Sequence, residues 1–331
     1  MNDSFGRAAG LSGHCKHLAT MKVLILGGSG YLGQFLIHAL APGHQVAYTF
    51  SSRTLTKAPA NAVACKVDLV SDEGLLGAFQ EHGPFQAVIN CAAISQPGEC
   101  EKKPEHARSV NVPSAVLDCL KSQQCEHGVS ACLIHLSTDQ VYDGSKEWWS
   151  EDDACHPVNV YGQTKLLGEQ TIMDRWAHSI ILRSSIIYGP EPSEPVGRAL
   201  FLSWLDKALS DVQSPCPTFF EDEWRCPTYV QDIISLCSML LELESRSPQD
   251  LAARAGVYNM GGPDRLSRLD MANEVAKLRG YDTSRIKGVP SASVSRPVRS
   301  PQDISMKSER LENAFGIKFK PFHIALREIF T

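Results

Sequence analysis

"KVLILGGSGYLGQFLIHAL", residues 22–40, decides the fold. Residues 22–26 are a short apolar run, and from Tyr31 the apolar spacing becomes helical. Between them stand Gly27, Gly28 and Gly30, and Gly33 follows in the first turn of the helix. A strand that breaks into a glycine turn and at once opens a helix is built to hold a pyrophosphate. Gly27 permits the tight turn, Gly30 lets backbone approach the phosphates, and Gly33 lets the helix pack on the strand. The free N–H groups at the helix start then face the anion. Glycines also make plain turns, so the motif is weak alone; the strand–helix context turns it into a dinucleotide cradle. Gly27, Ser29, Gly30, Tyr31, Leu32 and Gly33 are the expected cofactor-binding residues of that cradle.

Outward from this unit, strand and helix alternate. Further strands are predicted at 45–50, 62–67, 86–91, 131–136 and 179–182, and helices at 75–82, 104–124 and 161–177. Continuous apolar strands separated by helices indicate a parallel sheet covered on both faces. The predicted class is therefore α/β, a doubly wound Rossmann sheet with a smaller C-terminal substrate lobe. After residue 190 the texture changes to Pro/Gly loops such as "GPEPSEPVG" (189–197). The dinucleotide domain is expected over 21–189 plus about 226–260, and the lobe over about 190–225 and 261–331.

The 331 residues carry 43% hydrophobic and 21% charged residues, a globular balance. A net charge of −5 without a basic stripe excludes a nucleic-acid partner, and no apolar run is long enough to span a membrane. Eleven cysteines lie scattered with no C-x-x-C pair. They read as reduced thiols in the cytoplasm, and no metal site is encoded locally. Residues 1–20 lack the apolar core of a secretory signal. They read as a disordered extension, with an organelle address as the second reading.

The second strand ends "YTFSSRT" (48–54), with no acid to take a ribose 2′-OH. Ser51, Ser52 and Arg53 suit a 2′-phosphate instead, so NADPH/NADP is expected over NADH. Asp68, with Leu69 beside it, follows the third strand and is placed to meet an adenine amino group, or to cap a helix. Cys91, Ala92 and Ala93 end the fourth strand with small residues that let a cofactor lie against backbone.

"YGQTK" puts Tyr161 and Lys165 on one helix face. A lysine one turn away favours the phenolate and lowers the tyrosine pKa, fitting it to exchange a proton with a carbonyl/alcohol pair. "STDQVYDG" (137–144) leaves the fifth strand directly into groups that bond or titrate. Thr138 there can hydrogen-bond the same carbonyl oxygen.

The chain resembles the extended short-chain dehydrogenase/reductase superfamily. Within it, it is similar to the dTDP-4-dehydrorhamnose reductases and to the regulatory beta subunit of methionine adenosyltransferase. The motifs are "GGSGYLG", "VINCAA", Asn111-Val112, "STDQVYDG", "YGQTK", "LRSSIIYG", "RCPTYVQD" and "VYNMGGP". The resemblance implies Tyr161 as acid/base, Lys165 as its partner on the nicotinamide ribose, and Thr138 as the hydroxyl that positions the carbonyl. It adds Asn111, Ser185 and Ile186 to the cofactor set. It implies Arg225, against a sugar-nucleotide phosphate, and Arg296 in the substrate set. The implied activity is NADPH-dependent reduction of a keto group on a nucleotide-activated deoxysugar. The alternative is a non-catalytic NADP(H)-binding regulatory subunit. A homodimer or a partner enzyme subunit accords with either.

Gln140 separates this chain from its relatives. The similar nucleotide-sugar 4,6-dehydratases carry an Asp-Glu pair after the threonine; here it is Asp139-Gln140. Glutamine does not titrate, so dehydration is disfavoured. The reductases carry an aromatic residue at that place, so Gln140 is expected to touch a different substrate. Trp148 and Trp149 are expected either to stack on a base or sugar, or to cover a helix.

Overall fold

The computed structural model describes residues 20–197 and 199–331. The expected extension over 1–20 lies, but for Thr20, outside the described residues. Six strands, with helices between all but β2 and β3, run through the first half: β1 (Lys22–Leu26), β2 (Gln45–Phe50), β3 (Ala62–Lys66), β4 (Ala87–Asn90), β5 (Cys132–Thr138) and β6 (Ser179–Ser184). The strand Gly256–Met260 completes a seven-stranded sheet. From that edge the order is Gly256–Met260, β6, β5, β4, β1, β2, β3, and every pairing is parallel. The order reverses at β1 and β4, which opens a crevice at the carboxyl ends of those strands.

Parallel strands need crossover helices, and those cover both faces. In chain order they are α1 (Tyr31–Leu40), α2 (Leu75–His82), α3 (Pro97–Lys102), α4 (Pro104–Asn111), α5 (Ser114–His127) and α6 (Val160–Arg175). Two core layers result. Val23, Ile25, Leu36 and Ile37 pack on one face with α8 (Val230–Arg246), which follows α7 (Phe201–Ser210) in the chain. Leu24, Leu26, Leu117, Leu120 and Leu133 pack on the other. Residues i and i+1 of one strand thus enter opposite cores, so the central strands read as unbroken apolar runs.

The helix predicted at 104–124 is two helices. Pro113 bars the α region to the residue before it, and Val112 is extended at φ −99°, ψ 108°. α4 ends there and α5 begins at Ser114. α3 had no counterpart in the sequence reading; its Pro97 stands at the first turn, where a missing N–H costs nothing.

Beyond β6 the chain forms short pairings. Thr218–Phe220 pairs with Lys287–Val289, and Trp224–Arg225 pairs with Leu266–Ser267. α9 (Pro248–Ala252) precedes the edge strand, and α10 (Arg268–Arg279) starts with a capping box between Ser267 and Asp270. α11 (Glu309–Phe315) and α12 (Phe322–Phe330) close the chain. Trp149 is buried, stacks on Tyr142 at 4.8 Å, and donates its indole N–H to the Asp303 carbonyl. It is core, holding the 300–306 tail to the "STDQVYDG" segment, and Trp148 lines none of the cavities described below. The stacking role considered for the pair is thereby corrected. All ten cysteines among the described residues are free thiols. No described helix is long and apolar enough to cross a membrane.

Candidate cofactor and substrate cleft

Three cavities join along the carboxyl ends of the strands. The first, about 370 Å³, lies between the glycine turn and the ends of β2, β3 and β4; Gly27, Ser29, Gly30, Ser51, Asp68, Leu69, Cys91, Ala92 and Ala93 line it. The second, about 440 Å³, shares Gly27, Ser29, Gly30, Cys91 and Ala93 with it and reaches Tyr31, Leu32, Gly33, Tyr161 and Lys165. The third, about 580 Å³, shares Tyr161, Tyr31 and Ser184 with the second and adds Thr138, Asp139, Gln140, Ser185, Ile186, Arg225, Arg268, Arg296 and Arg299. Tyr161 therefore stands where the glycine-lined trough meets the arginine-lined chamber.

The turn is held open by its backbone. Gly27 N donates to Thr49 Oγ1 at 3.0 Å and Gly28 N to the Thr49 carbonyl at 2.9 Å. Gly27 sits at φ +75°, and a Cβ there would lie 2.9 Å from Ala92 backbone. At Gly33 a Cβ would lie 2.4 Å from the Gly27 carbonyl oxygen. Both positions demand glycine because backbone, which cannot yield, occupies the space. This cradle and the small residues across from it fit a dinucleotide.

The expected 2′-phosphate group divides. Ser51 lines the first cavity, while Ser52 and Arg53 line none of the three. The exposed Arg53 guanidinium bonds the Pro195 carbonyl across the cleft mouth. Asn111 departs from expectation. It is buried, its amide accepting from Ile94 N at 2.8 Å and donating to Thr164 Oγ1 at 2.9 Å. It clamps the strand-end loop to α6 and faces none of the three cavities, because those bonds use the amide inward.

α6 carries both Tyr161 and Lys165, and Asn159 caps it, accepting from Gly162 N at 2.9 Å. The same Asn159 donates to Gln140 Oε1 at 2.9 Å. Gln140 thus ties the strand end to the helix start, and its side chain still lines the chamber. Thr138 lies at the chamber floor, accepting from Gln140 N and donating to Asp139 Oδ1 at 3.2 Å.

Lys165 is fully buried, and its ammonium donates to the Leu136 carbonyl at 2.5 Å. Burial pulls its pKa down to about 8, although the Glu169 and Cys91 charges oppose the fall. His135 Nε2 lies 3.2 Å from the same nitrogen. Burial, reinforced by Lys165, holds that imidazole well below its usual range and so neutral. Under these groups Glu169 and Arg183 pair at 2.7 Å, Ser137 Oγ donates to Glu169, and Arg183 donates to the Tyr142 hydroxyl at 2.9 Å.

Arg225 lies on the chamber lining. Its guanidinium is buried and donates to the carbonyls of Trp224, Gln302 and Pro301 and to Ser300 Oγ. These bonds brace the chamber wall, which Arg225 itself lines. Arg296 pairs with Glu223 at 2.5 Å and lies over the Phe220 ring, on the chamber lining. Sequence reasoning missed Arg268, which lies over Phe201 at the start of α10 and faces the same chamber. It also missed Asp139 as a site group. Burial raises its carboxyl pKa against the pull of Arg225, and its Oδ2 has no hydrogen-bond partner among the described residues. The quoted "STDQ" contained that signal; nothing adjacent to Arg268 in sequence marked it.

The family model of the RmlD substrate binding domain matches residues 21–331. The chain belongs to that family. Among relatives of this RmlD-family chain, methionine adenosyltransferase 2 subunit beta of Xenopus tropicalis is 29% identical, over 79% of this chain and 73% of its own. The dTDP-4-dehydrorhamnose reductase of Mycolicibacterium smegmatis is 28% identical over 93% and 84%. The crystal structure of dTDP-4-dehydrorhamnose reductase from Bacillus anthracis in complex with NADP superposes with a TM-score of 0.75. It covers 94% of this chain and 99% of that one at 19% identity, which establishes the shared fold.

Proposed function

We propose that this RmlD-family chain is an NADPH-dependent reductase of a keto group on a nucleotide-activated deoxysugar. The observation that carries the reading is the position of Tyr161, shared by the glycine-lined trough and the arginine-lined chamber. A bound nicotinamide would supply the hydride. The residues of this chain do the rest. The glycine turn and the α1 N-terminus hold the pyrophosphate. Thr138 positions the carbonyl oxygen, and Tyr161 gives it a proton as the alcohol forms. Lys165 keeps positive charge beneath the tyrosine and takes the ribose hydroxyls. Arg268 and Arg296 offer charge to the diphosphate of the substrate. Gln140 cannot act as a general base, so elimination of water has no catalyst at that position.

The test is NADPH oxidation by purified protein against a panel of dTDP- and UDP-4-keto-deoxysugars. Turnover with at least one member is expected. The similarity to methionine adenosyltransferase 2 subunit beta favours a second reading, a non-catalytic NADP(H)-binding subunit. Tight NADPH binding with no oxidation across the panel would select it.

Cofactor choice has its own test. Arg53→Ala should weaken NADPH about 10- to 100-fold, the loss of one charge-assisted contact to the 2′-phosphate, and leave NADH nearly unchanged. Titration of both cofactors by fluorescence reads it. Equal weakening of the two would remove Arg53 from that role.

A further inference from the structure

At the end of the sheet away from the cleft, three unlike side chains converge. Cys132 opens β5, His178 immediately precedes β6, and Glu244 lies in the last turn of α8. Their ligand atoms all lie within 4.8 Å of one another. Cys132 is 1% exposed, and the side chains of His178 and Glu244 are 13% and 7% exposed.

The hydrogen bonding around them is incomplete. His178 Nδ1 lies 3.3 Å from the Ser130 carbonyl, which can only accept, so the ring carries a proton on Nδ1. The other ring nitrogen, Nε2, faces Glu244. That nitrogen lies 3.1 Å from Glu244 Oε2, yet neither atom has a hydrogen-bond partner among the described residues. Imidazole nitrogen, carboxylate oxygen and thiol thus converge in a buried place without hydrogen bonds among them. A carbonyl behind the imidazole is also the usual arrangement that orients a metal-bound histidine.

We propose that Cys132, His178 and Glu244 form a binding site for one Zn²⁺ ion. Sulfur, imidazole nitrogen and carboxylate oxygen are the donor set that this ion takes, with water as the fourth ligand. Bond lengths of about 2.0–2.3 Å around a tetrahedral centre separate ligand atoms by roughly 3.3–3.6 Å, within reach of the spacing here. On binding, Cys132 loses its proton to solvent as the S–Zn bond forms. The site ties the starts of β5 and β6 to the end of α8. Thr138 lies six residues along β5, about 20 Å away, so the ion takes no part in carbonyl chemistry.

The experiment uses the full chain, reduced, stripped with a chelator, and titrated with Co²⁺ and then Zn²⁺. One equivalent of Co²⁺ should produce a thiolate-to-metal charge-transfer absorption in the near ultraviolet, displaced by Zn²⁺, and Zn²⁺ should raise Tm. Cys132→Ser should abolish the absorption. Glu244→Gln, which keeps the side chain's size, should weaken binding beyond the roughly 10- to 100-fold seen when a residue behind the ligands is lost. Replacing the exposed Cys125 and Cys216 by serine together should change neither readout. No absorption in the wild type overturns the proposal, as does undiminished absorption in Cys132→Ser. If Cys132→Ser does not fold, Glu244→Gln decides, and wild-type affinity in that variant overturns the site.

Discussion

Tyr161→Phe should lower turnover about 10²- to 10⁴-fold, the span that general acid catalysis contributes, while NADPH affinity stays nearly unchanged. The ring is buried against Cys100, Ala107, Ile94 and Val160, so phenylalanine keeps the packing and loses only the hydroxyl. Lys165 and Thr138 remain in place, because each is held by groups other than the tyrosine: the Leu136 carbonyl for one, Asp139 and Gln140 N for the other. The carbonyl can still be positioned by Thr138, but the phenol assigned to deliver its proton is gone. Single-turnover kinetics with the best substrate of the keto-sugar panel, alongside an NADPH titration, separate the two effects. Undiminished turnover in this variant would refute the proposed chemistry. A parallel fall in cofactor affinity would show instead that the hydroxyl serves binding.

Glu169→Ala should cost about 3–5 kcal/mol of stability, because it leaves the buried Arg183 guanidinium uncompensated. Glu169 is fully buried. Arg183 donates to it from Nε at 3.1 Å to each oxygen and from Nη2 at 2.7 Å. Burial alone would pull the Arg183 pKa down; the hydrogen bonds and charge of Glu169 override it and push it up. Urea unfolding measures the loss, with an unchanged slope expected if the folded state stays compact. The double variant Glu169→Leu with Arg183→Met should recover most of it, since removing both charges removes the desolvation penalty of each. A Glu169→Ala loss below about 1 kcal/mol would mean that the pair is solvated in solution. The pair matters to the cleft through Ser137, which donates to Glu169 one residue before Thr138.

The strand–turn–helix at residues 22–40 was legible because its information is local. Apolar runs, glycine spacing and helical period concern residues within one or two turns of each other, and the fold class and family follow from that alternation. The break at Pro113 was legible in principle, since it depends only on the proline ring and its predecessor; the longer helix prediction passed over it. Arg225 shows where local reading ends. Its segment marks it as a site residue, but the carbonyls that its guanidinium bonds depend on where residues 300–302 run, and they lie about 75 positions away. Asn111 turned inward for the same reason: Ile94 and Thr164 reach its amide first.

Local pattern was enough for the parallel strands, most of the helices between them, the glycine cradle and the pairing of Tyr161 with Lys165 on one helix. The tertiary structure alone decided which cations face the chamber, that Lys165 is buried beside His135, and that Cys132, His178 and Glu244 meet. The physical reason is range. Helical period and turn sterics act between neighbours, whereas desolvation, ion pairing and metal-type convergence act between groups that only the packed sheet brings together.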